Sequence, residues 1–259
     1  MPHLTSTTTG TAGTLLGTGL GIPGLAHPLV APAEWGELTR PGTPLHWVVL
    51  DVAEGPGTRP DPHCLEATGR LRNAGVRVLG RLDAEHAAAG VVGDAERYAN
   101  WYQVDGFLLD HCPVDRADLP AVRRTVSALR ARCEDAHIVL GHGTHPHPGY
   151  AETADQLVTF NGAWGDYRWS QAAEWTADYP PERFCHFVHG VPRPHLEEAL
   201  RIARWHGAAT IWFTDRVAGG GRRGTDRGDR GVDRGADPWS TMPGFWDEIV
   251  SRIGTGVSE

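Results

Sequence analysis

Short apolar segments alternate with amphipathic stretches eight times along the 259 residues of this chain. Strands that are apolar on both faces, each followed by a helix or a long loop, are typical of a parallel sheet covered by helices. Eight such units in a chain of this length predict a single (β/α)8 TIM barrel, a fold that takes about 250 residues. The predicted strands are Ile22–His27, His46–Asp51, Val76–Leu82, Gly106–Asp110, His137–Leu140, Gln156–Asn161, Phe184–His189 and Thr210–Asp215.

Helical periodicity marks the segments between these strands. In Leu119–Cys133 the apolar residues Val122, Val126 and Leu129 share one face, as expected of a helix that lies on a sheet. This alternation favours the closed barrel over an open doubly wound sheet. The predicted helices are Asp61–Ala74, Asp94–Trp101, Leu119–Cys133, Ser170–Asp178, Pro194–Trp205 and Met242–Ile253.

Two segments have compositions that do not pack into a core. The Thr/Gly-rich residues 1–20 predict a disordered leader, which leaves residues 21–259 for the barrel domain. Residues 219–236 repeat the triplet Asp-Arg-Gly and predict a flexible loop after the eighth strand. Two interpretations of this loop stay open: a surface insertion, or a lid or binding arm for an acidic polymer.

Composition argues against several classes of partner and cofactor. A formal net charge of −8 disfavours nucleic acid and an anionic membrane as partners. No apolar run approaches the roughly 18 residues that span a bilayer. The sequence has neither Gly-x-Gly-x-x-Gly after a strand nor a Walker motif, so we expect no nucleotide and no other cofactor. Nothing in it indicates an oligomeric state.

Cysteine usage bears on the compartment. Cys64, Cys112, Cys133 and Cys185 form no Cys-x-x-Cys pair and show no zinc spacing, which is typical of reduced, partly buried thiols. The first arginine is Arg40, so the N-terminus lacks the basic segment of a secretion signal. We therefore predict a cytoplasmic protein, with secretion as the alternative.

Ionisable side chains stand where the predicted strands end. The segment Val104–His111 is the clearest case, because a buried strand stops there on Asp110 and His111. The carboxyl ends of barrel strands surround one pocket, and buried charges are costly unless they are paired. The sequence therefore predicts a polar, substrate-binding pocket formed by His27, Asp51, Asp83, Asp110, His111, His142, Asn161, His189 and Asp215.

Carboxyl groups in such a pocket fit glycoside hydrolysis. That reaction needs two of them about 5–5.5 Å apart for retention or about 6.5–9.5 Å apart for inversion. Asp110 is the best candidate for one group, and Asp51, Asp83 or Asp215 for the other. The alternative role for each carboxylate is an ion pair with a neighbouring arginine such as Arg81.

Aromatic residues flank the sixth predicted strand. Tyr150 precedes it, and Trp164, Tyr167 and Trp169 follow it. Flat rings beside a polar pocket stack against pyranose faces, so we predict that these four side chains bind substrate. The alternative is that they cap the barrel core.

A histidine-rich loop raises a different chemistry. His142, His145 and His147 lie within six residues and offer three imidazoles for zinc, as in a metal-dependent hydrolase. The first strand carries no His-x-His, however, and the chain contains no lysine to form a metal-bridging carboxylate. We therefore predict solvated loop histidines and no metal. No Gly-x-Ser-x-Gly elbow and no cysteine at a helix start indicates a nucleophile.

Four motifs carry a resemblance to a known family. They are Trp101-Tyr-Gln-Val-Asp-Gly-Phe-Leu-Leu-Asp110, Val139-Leu-Gly-His-Gly-Thr144 with Pro148-Gly-Tyr150, Ala154-Asp-Gln-Leu-Val-Thr-Phe160, and Gly55-Pro-Gly57. With them the chain resembles the spherulation-specific family 4 (spherulin-4-like) proteins from Ile22 to Trp169, and more loosely to its C-terminus. The resemblance implies a TIM barrel related to glycoside hydrolase family 135, whose members cleave galactosaminogalactan-type α-1,4-linked polymers of galactosamine and N-acetylgalactosamine.

The resemblance also places the family's catalytic carboxyl groups on this sequence. The family's fourth-strand motif ends Asp-Glu and its sixth-strand motif ends Phe-Glu, whereas this chain keeps Asp110 but has His111 and Asn161 at the two glutamate positions. The asparagine before Gly-Pro-Gly is Asp51 here, and the fifth-strand asparagine is Gly141. One positioned acid or base contributes about 10²–10⁴-fold in rate, so losing two removes about 10⁴-fold or more, or about 5 kcal/mol.

The first hypothesis is therefore a glycoside-hydrolase-like protein that binds an amino-sugar oligo- or polysaccharide. Any hydrolysis would use Asp110 as one carboxyl group, with His111 or Asp51 in a replacement role. The second hypothesis is a non-catalytic carbohydrate-binding or developmental protein that keeps the pocket without the chemistry. The third is the metal-dependent hydrolase.

Overall fold

The structure is a computed structural model that describes residues 17–219 and 237–254. In these residues eight parallel strands close into a barrel in sequence order, which confirms the predicted TIM barrel. The strands are β1 (Gly19–Ile22), β2 (Leu45–Leu50), β3 (Val78–Asp83), β4 (Gly106–Asp110), β5 (His137–Gly141), β6 (Gln156–Ala163), β7 (Phe184–His189) and β8 (Thr210–Phe213).

Helices cover most of the barrel wall. The described helices are α1 (Pro32–Glu37), α2 (Pro62–Asn73), α3 (Ala88–Tyr102), α4 (Leu119–Arg132), α5 (Trp164–Tyr167), α6 (Leu196–Trp205) and α7 (Trp246–Gly254). The helix predicted for Ser170–Asp178 is wrong, because that segment contains only a 3₁₀ turn at Glu174–Asp178. Pro180 and Pro181 follow at once, and a proline disfavours α conformation in the residue before it.

The first strand lies three residues earlier than predicted. The chain is in β1 from Gly19 to Ile22, so Gly19 and Leu20 of the predicted leader belong to the barrel. Two glycines make this possible, because a Cβ on Gly19 would overlap the imidazole of His46 and one on Gly21 would lie 2.6 Å from Trp47. Residues 1–16 of the leader and 220–236 of the predicted loop lie outside the described residues.

A buried polar network occupies the amino end of the barrel. Gln156 accepts a hydrogen bond from the Trp47 indole at 2.7 Å and donates one to the Thr210 hydroxyl at 3.0 Å. His46 and His137 bond to the same network, at 2.8 Å to Thr210 and 3.2 Å to Gln156. Since these residues stand at the starts of their strands, the network fills the end of the barrel opposite the site described below.

Two further observations concern the cysteines and the helices. All four cysteines are free, and three of them are buried. Within residues 17–219 and 237–254, no helix combines the length and the apolar character needed to cross a membrane.

Candidate functional site

A cavity of about 430 Å³ opens at the carboxyl ends of the strands. It brings together five of the predicted site residues, which come from the ends of β2, β4, β5 and β6. These are Asp51, Asp110, His111, His142 and Asn161. The other described residues that line it are Pro23, Gly24, Leu25, Arg81, Leu108, Gly141, Gly143, Phe187, Asp237 and Trp239.

One guanidinium joins two of the carboxylates on the cavity floor. Arg81, which projects from β3, donates from one terminal nitrogen to Asp51 Oδ2 at 2.7 Å and from the other to Asp110 Oδ2 at 3.0 Å. Burial alone would lower the pKa of Arg81, but the hydrogen bonds and charges of both carboxylates outweigh it and raise that pKa above its usual value. The ion pair expected as an alternative for Asp110 is therefore present, and it includes Asp51.

A tight turn after β2 fixes the orientation of Asp51. The amide of Gly55 donates to Asp51 Oδ1 at 2.9 Å, while the Gly55 carbonyl accepts from Val52 and Ala53. Gly55 has φ of 138° and Gly57 has φ of 79°, which glycine adopts far more readily than other residues. The Gly-Pro-Gly motif thus holds one carboxylate oxygen and leaves the other for Arg81.

Asp110 ends β4 in a space that its neighbours leave free. A Cβ on Gly141 of the adjacent strand would lie 3.0 Å from Asp110 Oδ1, so the glycine at this position makes room for the carboxylate. The same Oδ1 accepts the amide of His111 at 3.0 Å. Both oxygens of Asp110 are therefore engaged, one by Arg81 and one by the backbone.

His111 stands at the rim of the cavity in an unusual backbone conformation. Its φ is 54°, the left-handed region that non-glycine residues seldom adopt. The imidazole Nδ1 lies 3.2 Å from Asp83 Oδ1, which also accepts the amide of Glu85 at 2.9 Å. Burial raises the pKa of Asp83, but the Glu85 amide and His111 outweigh it and hold that pKa below its ordinary value.

His142 is a half-buried titratable group on the cavity wall. Its Nδ1 donates to the Pro113 carbonyl at 2.9 Å, and its ring packs edge-on against Tyr150 with 4.7 Å between centroids. Burial lowers the pKa of His142 to about 4, so the ring is neutral at pH 7. Its Nε2 is buried and has no hydrogen-bond partner among the described residues.

Three of the four predicted sugar-stacking aromatics lie in the core. Tyr150 and Tyr167 have no exposed surface, and their hydroxyls bond to the Asp115 carbonyl at 2.9 Å and to His186 at 2.8 Å. Trp164 is also buried. This placement matches the alternative interpretation, in which the rings cap the barrel. Trp169 is 81% exposed and stands outside the cavity lining.

Three further predicted residues lie away from the cavity lining. His27 follows β1 by five residues, because the strand ends at Ile22, and its Nε2 lies 3.3 Å from both Asp61 and Cys64. His189 packs edge-on against Trp239, with 5.7 Å between the ring centroids. Asp215 accepts a hydrogen bond from the Gly244 amide at 2.9 Å. Asp83 is also outside the cavity lining, and its side chain contacts the lining residue His111.

Trp239 is a lining residue that sequence reasoning missed. Its half-buried ring packs edge-on against Phe187, with centroids 6.2 Å apart, and its amide donates to Asp237 at 3.0 Å. The segment follows the Asp-Arg-Gly repeats and has neither strand nor helix periodicity, so its sequence pattern did not indicate that Trp239 lines a pocket. The Asp-Pro-Trp sequence at 237–239, an aromatic residue after a turn, was the available signal.

The histidine loop does not assemble a metal site. His142 bonds to a backbone carbonyl, His145 packs edge-on against Trp175, and His147 accepts the amide of Gly149. Among the described residues two other groups have ligand atoms close enough for a metal: His27 with Asp61 and Cys64, and Asp83 with Glu85 and His111. Among the described residues, the three loop histidines therefore do not form a cluster with the spacing of a metal site.

Comparisons with known proteins agree with this barrel. Sph3 of Aspergillus clavatus, solved in complex with GalNAc, superposes with a TM-score of 0.72 at 21% identity over 92% of this chain and 98% of that one. Active domain 2 of a chitinase from Pyrococcus furiosus gives a TM-score of 0.50 at 12% identity over 94% and 99%. At such identities both likenesses concern the fold alone. No curated protein sequence matches the chain significantly.

The family assignment comes from the sequence match. The model of the spherulation-specific family 4 matches residues 22–253, which is nearly the whole barrel and includes every residue of the cavity described above. The chain therefore belongs to spherulation-specific family 4, as its motifs predicted.

Proposed function

We propose that this protein binds an amino-sugar oligo- or polysaccharide in the cavity at the carboxyl end of its barrel. The observation that carries the proposal is the cavity floor, where Asp110 of the family motif and Asp51 share the Arg81 guanidinium in a cavity that Trp239 also lines. Barrel enzymes hold their ligands at this end, so the site has the position expected of a family member.

The size and lining of the cavity support a sugar ligand. Its volume of about 430 Å³ lies within the range of about 300–1,000 Å³ typical of small-ligand sites. Trp239 offers an apolar ring face, and the exposed Asn161 amide offers both a donor and an acceptor for hydroxyl groups. The open mouth allows the rest of a polymer to continue beyond the bound unit.

Charge narrows the class of sugar. Among the described lining residues, Asp51, Asp110 and Asp237 carry carboxylates against the single guanidinium of Arg81. Counting these four groups, the cavity has a formal excess of two negative charges. Such a site favours neutral sugars and galactosamine units whose free amine is protonated, and it repels uronic acids and phosphorylated sugars.

We expect any hydrolysis of the bound sugar to be slow. Asn161 exchanges no proton at ordinary pH, and both oxygens of Asp110 are hydrogen-bonded, one to Arg81 and one to the His111 amide. We expect turnover to be about 10⁴-fold below that of relatives with a full set of carboxyl groups, because each lost acid or base costs about 10²–10⁴-fold. Binding is therefore the property to measure first.

Calorimetry with α-1,4-linked galactosamine oligomers, N-acetylated and de-N-acetylated, tests the proposal. Trp239→Ala should weaken binding by about tenfold or more, which corresponds to about 1.4 kcal/mol. Trp205→Ala is the matched control, since that ring is 86% exposed at the end of α6 and outside the cavity lining. Absence of binding to either oligomer, or equal loss in both variants, would refute the proposal.

A further inference from the structure

We propose that His111 and Asp83 form an acid–base dyad, in which Asp83 positions the imidazole to donate a proton to the glycosidic oxygen of a bound sugar. The inference rests on the proposed function and deepens it, since it assigns the slow hydrolysis to particular atoms. It concerns residues of this chain that replace the carboxyl group found at position 111 in the family pattern.

Strand register brings the two side chains together. Asp83 and Asp110 are paired residues at the ends of the adjacent strands β3 and β4, and His111 is the next residue. The contact from His111 Nδ1 to Asp83 Oδ1 is 3.2 Å. An ionised carboxylate only accepts hydrogen bonds, so Nδ1 carries the proton in this contact. The other nitrogen, Nε2, is then the one that exchanges a proton on the cavity side.

The backbone holds His111 in this position at a cost. A non-glycine residue at φ of 54° costs on the order of 1 kcal/mol or more, and such residues cluster at functional sites. The conformation is fixed by the hydrogen bond from the His111 amide to Asp110 Oδ1 at 3.0 Å. Packing gives no reason for it, because half of the imidazole side chain is exposed.

Carboxylates surround the His111 imidazole. Asp83 faces it from β3, Glu85 from the loop after β3, and Asp110 lies beside its backbone. Among the described lining residues the one arginine is Arg81, which is on the same strand as Asp83 and is already bonded to two carboxylates. The other titratable groups nearby are the neutral His142 and the exposed His86. Carboxylates thus outnumber cations around His111, as an acid that must carry a proton before it acts requires.

The proposed step balances as a single displacement. The bond from the anomeric carbon to the leaving oxygen breaks, its electron pair stays on that oxygen, and the oxygen takes the proton from His111 Nε2. Water adds to the anomeric carbon and loses a proton to the Asp110 carboxylate. Solvent then takes that proton from Asp110 and returns one to the imidazole. Asp83 bonds only to the imidazole and is a positioning residue.

Nitrogen-15 NMR of the imidazole tests the dyad without any sugar. In the neutral form of the wild-type protein we expect the Nδ1–H tautomer at His111, and in Asp83→Asn a shift towards Nε2–H, the tautomer that free imidazole side chains prefer. Glu85→Gln is the matched control, because it removes a neighbouring charge but not the contact to Nδ1. A wild-type protein in the Nε2–H form would overturn the inference.

Reducing-end release tests the chemical step. We expect activity to be lost in His111→Ala, to fall by about 10²-fold in kcat with little change in KM for Asp83→Asn, and to return in His111→Glu. Binding without any wild-type turnover would overturn the dyad while leaving the proposed function intact. Absence of binding would instead remove the proposed function, whatever the tautomer.

Discussion

Replacing Arg81 by methionine is the sharpest test of the cavity floor. The change keeps an unbranched side chain but removes the guanidinium, which leaves Asp51 and Asp110 side by side without their shared cation. Removing one partner of a fully buried ion pair costs about 3–5 kcal/mol, whereas exposed pairs contribute about 0–1 kcal/mol. The two carboxylate side chains are 21% and 26% exposed and that of Arg81 is 34% exposed, so we expect a loss between these limits, about 2 kcal/mol.

Urea unfolding at pH 7 measures this loss, and thermal unfolding should show a Tm lower by roughly 4–8 °C. Arg130→Met is the control, because its pair with Asp155 is 3.1 Å long but nearly two-fifths exposed on each side, and we expect it to cost under about 1 kcal/mol. Adding Asp110→Asn to the Arg81 variant should recover part of the stability by removing the repulsion. Equal losses in the two arginine variants would refute the reasoning.

Three other predictions follow from the same site. Burial lowers the pKa of His142 from 6.5 to about 4, so its contribution to stability is complete above about pH 6.5 and is lost as pH falls towards 4, by at most about 3 kcal/mol. The free energies of unfolding in urea of wild type and His142→Gln should therefore diverge between these pH values. Gly141→Ala should weaken sugar binding in calorimetry and destabilise the fold by about 1–2 kcal/mol, since the new Cβ would lie 3.0 Å from Asp110; Gly165→Ala, with open space around its Cβ position, should not. De-N-acetylated oligomers should bind more tightly than acetylated ones at low salt, and a preference that did not fall as salt rose would contradict the charge argument.

The fold was predictable because its signals are local. β4 and β7 have the predicted bounds, since β4 is an apolar run that ends on Asp110 and β7 is a buried run, interrupted by His186, that ends on His189. The predicted bounds of β1 were wrong because its glycines are required by close contacts with His46 and Trp47. These residues are distant in sequence, so the segment itself does not indicate the contacts. With glycine at two of its four positions, β1 does not show the continuous apolar run by which the other strands were predicted.

The site was predictable where side chains follow strands and not where they follow loops. Asp51, Asp110 and Asn161 line the cavity because strand ends meet there. Tyr167, by contrast, was expected to face a ligand but turns inward to bond to His186. Trp239 reaches the cavity from a segment whose position depends on tertiary contacts with Phe187 and His189, and sequence periodicity does not encode such contacts.

The substitutions at the family's carboxyl positions have a common physical direction. Against the family pattern that the motifs imply, this chain has His111 and Asn161 at two glutamate positions and Asp51 at an asparagine position. The two glutamate positions are exposed, so a carboxyl there can exchange protons, whereas Asp51 is held by Arg81 and by the Gly55 amide. Relative to that pattern, a carboxylate lies on the cavity floor, where hydrogen bonds hold it, instead of at the rim, where it can exchange protons. Under the proposed function, this arrangement retains attraction for an amino sugar, slows bond cleavage and leaves the exposed imidazole of His111 at the rim as the group that we propose donates the proton.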